Sequence, residues 1–150
     1  MKTVWILVCD GAKSRTFEKD SKERAWRLVE ESIHAESRSR ASQLVSDHSG
    51  RRAPEGPSVH HNALAPASSP KEVEKGHFVH SLAMMLDQAM RSRRFDRLVL
   101  VAPPHVLGML KKELTPELGK HLLGTVGKNL NHLSAEELAD ELRDVVRIPL

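Results

Sequence analysis

Between Thr3 and Cys9 the residues Val4, Trp5, Ile6, Leu7 and Val8 follow one another with no polar interruption. The run is too short for a core helix and has no polar side for water, so it predicts a strand covered on both faces. A strand of that kind needs partners on both edges and a layer above and below it. Leu98 to Ala102 is the second such run and ends at Pro103-Pro104, where proline cannot continue a central ladder. The two runs are expected to lie side by side in the sheet interior.

Asp10-Gly11 closes the first run and predicts a two-residue turn in which glycine supplies positive φ. Ala12 to Phe17 then alternates, with Lys13 and Arg15 on one side and Ala12, Ser14 and Thr16 on the other, which predicts a more exposed antiparallel strand. Trp26, Leu28 and Glu30, alternating with Arg27 and Val29, predict a third strand after a polar turn from Glu18 to Arg24. From His34 to Ser69 no periodicity survives. That stretch is rich in Ser, His, Arg, Pro and Gly, and is longer than the unstructured connections compact domains normally use. Ser69, Pro70 and Glu72 then form a capping-box pattern, followed by Phe78, Leu82, Met85 and Ala89 at helical spacing as far as Arg94. A short helix is expected over His105–Lys112 with Val106, Leu107 and Leu110 inward. Another, capped at Thr115-Pro116, is expected to run through Leu122. A strand is expected over Gly124–Leu130, and Ser134 with Glu137 caps a last helix carrying Leu138, Ala139 and Leu142.

The order β-β-β, long loop, α-β-α-α-β-α predicts an α/β fold: a mixed five-stranded sheet with an antiparallel opening meander and flanking helices. At 150 residues and 39% hydrophobic, the chain is sized for one domain over 1–150, with the polar loop at about 34–69. The lone Cys9 permits no internal disulfide and reads as a buried thiol. No apolar stretch approaches the roughly 20 residues that span a bilayer. The apolar start runs into Asp10, Gly11 and a basic segment without a cleavage site for a signal peptide, so the expected location is cytoplasmic.

The candidate chemistry is sparse. Asp10 ends the first strand, where a two-metal nuclease would place its first carboxylate. No second carboxylate follows, because Asp96 precedes its strand and Glu136, Glu137 and Asp140 lie on a helix face. Asp10 with Gly11 therefore reads first as a turn whose carboxylate bonds nearby amides. Nine histidines are present. Of these, His60 and His61 are adjacent and face opposite ways in an extended segment, while His77 and His80 lack a third ligand. No metal site, cofactor site or catalytic residue set emerges. Gly124, Gly127 and Lys128 in GTVGKNL lack the spacing and the hydroxyl of a phosphate-binding loop, and no serine sits in a nucleophile elbow. Net charge is +3 and the isoelectric point about 9.2, a weak lean towards anionic partners. Lys13, Arg15, Arg51, Arg52, Arg91, Arg93 and Arg94 are the candidate contacts for an anion or nucleic acid, although Arg91, Arg93 and Arg94 also suit the negative end of a helix dipole.

Four segments carry a resemblance: VWILVCDGAKSRTFE, SDHSGR, FDRLVLVAPPHVLGMLKKEL and GKNLNHLSAEEL. Together they resemble the bacterial host-attachment protein family, whose members are named for a requirement in attachment to host cells. That family is related to bacterial relatives of archaeal and eukaryotic peptide-chain release factors. The resemblance implies a fold similar to the release-factor central domain and the ribonuclease H arrangement. It also implies a tRNA, ribosome or protein partner. The Gly-Gly-Gln motif on which those factors depend for peptide release is absent, and the corresponding loop carries Ser49, Gly50, Arg51 and Arg52. The expectation is a cytoplasmic, non-enzymatic binding domain, with no membrane insertion. The alternative is an RNA-, tRNA- or ribosome-associated factor of the release-factor lineage.

Overall fold

The computed structural model describes residues 2–20, 25–33 and 70–145. Three strands open the chain: β1 (Thr3–Cys9), β2 (Lys13–Asp20) and β3 (Arg27–Ile33). After them come helix α1 (Pro70–Arg91), strand β4 (Arg97–Val101), helices α2 (Pro104–Glu113) and α3 (Pro116–Lys120), strand β5 (Leu122–Val126) and helix α4 (Ala135–Glu141). The five strands form one mixed sheet in the order β3-β2-β1-β4-β5. β1 lies at its centre, antiparallel to β2 and parallel to β4, with Trp5 opposite both Glu18 and Leu98. The two most apolar runs are thus neighbours, as the sequence predicts.

The pleat sends alternate residues of each central strand to opposite layers. Trp5, Leu7 and Cys9 join Leu98, Leu100 and Ala102 beneath α1, α2 and α3. Val4, Ile6 and Val8 join Val99 and Val101 beneath α4, which contributes Leu138 and, at its C-cap, Leu142. Both faces are dry, so neither parity of β1 or β4 could be polar. Parallel β4 and β5 are joined through α2 and α3, which lie on the same layer as α1. Among the described residues, no helix is long and apolar enough to cross a membrane.

Several boundaries differ from the sequence reading, each for an identifiable reason. The hairpin turn is centred on Gly11-Ala12 rather than Asp10-Gly11, because Asp10 N–H donates to the Lys13 carbonyl at 2.9 Å. No described glycine has positive φ. What Gly11 supplies is room: a Cβ there would lie 3.0 Å from Lys75 Cε. β2 is less exposed than its alternation suggests, with Ser14 and Thr16 buried, because they lie opposite Cys9 and Leu7 on the face that α1 covers. α3 stops at Lys120, and β5 begins at Leu122 because the His121 carbonyl already accepts from Leu98 N–H at 2.9 Å. The pairing ends where Ala102 N–H meets the Val126 carbonyl, leaving Leu130 free to pack beneath α4. The Ser134 capping box is complete, whereas Ser69 lies outside the described residues.

α1 ends at Arg91, three residues before the expected Arg94. Arg94 N–H donates to the Ala89 carbonyl and Arg93 N–H to the Met90 carbonyl, both at 2.9 Å. This is the doubly bonded helix stop in which the residue past the cap turns left-handed, a place where glycine is the unstrained choice. Here that residue is Arg93, with φ 57°. An L-side chain in this conformation costs roughly 1 kcal/mol. Arg93→Gly is therefore expected to raise stability by about 0.5–1 kcal/mol in equilibrium urea denaturation. A loss of stability would show that the arginine side chain holds the turn.

Candidate functional site

The chemistry-bearing residues collect at the two ends of the sheet. At the end where β1 runs out, Asp10 organises the β1–β2 turn. Its Oδ1 accepts from Ala12 N–H at 2.8 Å and from Lys13 N–H at 2.9 Å. Oδ2 accepts from Asn131 Nδ2 at 3.1 Å, and the same amide nitrogen donates to the Lys13 carbonyl at 3.1 Å. Asn131 is buried in the segment between β5 and α4. Its remaining oxygens are taken by Arg15, whose Nε donates to Oδ1 at 3.1 Å and whose Nη2 donates to the backbone carbonyl at 2.9 Å. Arg15 also lies over the Phe17 ring, 5.3 Å from its centroid. Burial holds its guanidinium below the ordinary arginine value, with the nearby Glu31 carboxylate partly offsetting this.

Across the hairpin, the first turns of α1 and α2 meet through side chains. Glu72 Oε1 accepts from Lys75 Nζ at 3.1 Å, and Oε2 lies 3.2 Å from His105 Nε2. One step along the same two helices, His80 Nδ1 lies 2.9 Å from Glu113 Oε2. His105 first, and Lys75 second, hold the Glu72 carboxyl below the usual carboxylate range. Cys9 is buried, and desolvation together with the adjacent Asp10 charge pushes its thiol up to about 12. A neutral, enclosed thiol is no nucleophile. Lys128 makes only a loose, exposed contact of 3.7 Å with Glu141. Among the described residues, no group of three or more His, Cys, Asp or Glu side chains could hold a metal ion.

The opposite end of the sheet, where β1 and β4 begin, carries the arginines at and just after the end of α1. Arg91 pairs with Asp87 at 3.0 Å. Arg94 lies over the Trp5 ring, 4.8 Å from its centroid, while Trp5 Nε1 donates to Glu18 at 3.1 Å. The candidate contacts named from sequence therefore fall into separate groups. Lys13 and Arg15 belong to the Asp10 end and the α4 face, with Arg15 spent on Asn131. Arg91, Arg93 and Arg94 belong to the far end. Arg51 and Arg52 lie outside the described residues. Asn131, the hub of the clasp, was not singled out from sequence, because its partners are 116 to 121 positions away. Its only signal is membership of the segment GKNLNHLSAEEL, which also carries the resemblance.

A comparison with protein families matches residues 5–142 to the family described as protein required for attachment to host cells. This chain belongs to that family. The match spans both core layers and every residue of the Asp10–Asn131–Arg15 clasp. A search of curated proteins gave no match.

Two measurements test this geometry. Asn131→Ala would leave the Lys13 carbonyl and the Arg15 fork short of partners, and is expected to cost about 2–3 kcal/mol in equilibrium denaturation. A loss below the precision of the method would mean the clasp is replaced by water. Because the folded Glu72 carboxyl sits low, its contribution is present above the unfolded value and disappears as pH falls through the folded one. In a side-chain NMR titration, His105→Gln should move the Glu72 midpoint up towards that of an ordinary glutamate. An unchanged midpoint would assign the shift to Lys75.

Proposed function

We propose that this host-attachment family member is a non-enzymatic binding domain acting in the cytoplasm, and that its partner is anionic, with tRNA or the ribosome as the leading candidates. The observation that supports a binding role is the engagement of the groups best suited to chemistry. Both Asp10 oxygens accept hydrogen bonds from backbone amides or Asn131, Arg15 is committed to Asn131, and Cys9 is sealed in the core. A carboxylate that holds a turn and a clasp has little freedom to act as a base, since taking up a proton would weaken the bonds that organise the hairpin. The release-factor-like and ribonuclease H-like readings belong to this proposal. What supports them is the opening antiparallel meander followed by the parallel β4 and β5.

An anionic partner is supported by the excess of cations and by the solvent-facing arginines after α1. Phosphate contacts are strongly salt-dependent because bound counterions are released. The intact chain should associate with labelled tRNA or purified ribosomes at about 50 mM salt and lose most of that association by about 200 mM. The double variant Arg51→Ala/Arg52→Ala tests the contact expected from sequence, and equal binding by it would remove those two residues. Absence of association at low salt would replace this reading with that of a protein-interaction module.

A further inference from the structure

Arg93 is the most informative side chain at the far end of the sheet. Its left-handed backbone suits glycine, and the helix stop would form at least as well without a side chain. The helix dipole is already met by Arg91 in the last turn, which also pairs with Asp87. Neither the turn nor the dipole therefore accounts for an exposed arginine at this position. Arg94 adds a second exposed guanidinium, oriented by the buried Trp5 ring below it. Lys120, the last residue of α3, is exposed and directly precedes His121, which meets this edge. The His121 Nδ1 lies 2.9 Å from the Asp96 carbonyl, and its ring stands edge-on to Phe95 with centroids 6.1 Å apart.

Three carboxylates nearby are already engaged, and Glu117, exposed on α3, forms no ion pair with Lys120 among the described residues. Asp87 holds Arg91 and Thr115, Asp96 Oδ2 accepts from Thr3 N–H at 2.8 Å, and Glu18 holds the Trp5 indole and Arg27. Among the described residues, no carboxylate forms an ion pair with Arg93, Arg94 or Lys120.

We infer that Arg93, Arg94 and Lys120, presented by the ends of α1 and α3 at the start of β4, form a contact surface for the phosphate backbone of a nucleic acid. The inference rests on the anionic-partner reading above and gives it a location. Exposed guanidinium forks match phosphate oxygens in pairs. The aromatic rings at this edge, Trp5 and Phe95, are buried, so none is free to stack on a base. Recognition here is of backbone charge, indifferent to base sequence and steep in salt.

Arg93→Gly makes the test decisive, because the fold should tolerate it better than the native residue while the contact is lost. Fluorescence anisotropy with labelled double-stranded RNA, across about 50–200 mM salt, would compare the full chain with Arg93→Gly and with the triple variant Arg93→Gly/Arg94→Gln/Lys120→Gln. The expected result is weaker binding by each, by a similar factor on unrelated sequences. The slope of log affinity against log salt should shrink by about 0.9 per lost phosphate contact. Unchanged binding by the triple variant, with the wild type still bound, would overturn this edge and leave the anionic-partner reading standing. No RNA binding by the wild type at low salt would overturn both. Retention on anionic phosphatidylserine vesicles, with none on RNA, would overturn the nucleic-acid assignment.

Discussion

The structure depends on covering β1 on both sides. Trp5, Ile6 and Leu7 are consecutive and fully buried, and each such side chain contributes roughly 1.5–3 kcal/mol when removed from water. Consecutive residues of a strand point to opposite layers, so that gain requires helices above and below. The requirement places α1, α2 and α3 against the odd-numbered residues and α4 against the even-numbered ones. β4 carries the same two-sided pattern in the opposite parity and lies parallel to β1, which leaves the less apolar strands β3 and β5 for the edges. Layering, strand order and edge composition thus follow from one stretch of chain.

A second constraint joins the two ends of the sequence. The β1–β2 turn is held by a carboxylate that bonds the backbone locally and an asparagine delivered from beyond β5. Buried hydrogen-bonding groups stabilise little when paired and cost much when orphaned, so such a network acts mainly by excluding alternatives. Asn131 reaches Asp10 and Lys13 only when β5 and α4 are docked on the correct face. Arg15 checks the same docking from β2. The clasp therefore couples the meander to the parallel half of the sheet and orders the end of β1.

The polar groups at the two ends of the sheet are used differently. At the Asp10 end, Asp10, Arg15 and Asn131 face one another and are consumed by internal bonds. At the end where β1 and β4 begin, Asp87, Asp96 and Glu18 are spent on the backbone or on neighbours, while Arg93, Arg94 and Lys120 are exposed. The binding role proposed above fits this division better than a reaction centre does, because Asp10 and Arg15 also hold the hairpin and the clasp together.

Much of the architecture was readable in the residue order. The apolar runs at Val4–Val8 and Leu98–Ala102, the buried triad Val106, Leu107 and Leu110, and the Ser134–Glu137 capping box all encode local geometry through their own spacing. Asp10 was readable as a turn carboxylate for the same reason, because its amide partners lie within three residues. The left-handed arginine after α1 gave no such sign, since a glycine is the usual marker of that turn. Nor could Asn131 be recognised as the partner of Asp10, or the separation of Lys13 and Arg15 from Arg91–Arg94 be foreseen, because spacing along the chain carries no information about which layer a distant segment will join. The start of β5 likewise depended on which carbonyl lay beside Leu98. Periodicity and caps are properties of neighbouring residues, so the sequence alone determined the elements and their buried faces. Clasps and charged edges are properties of surfaces that meet only after the layers close, and the tertiary structure alone decided those.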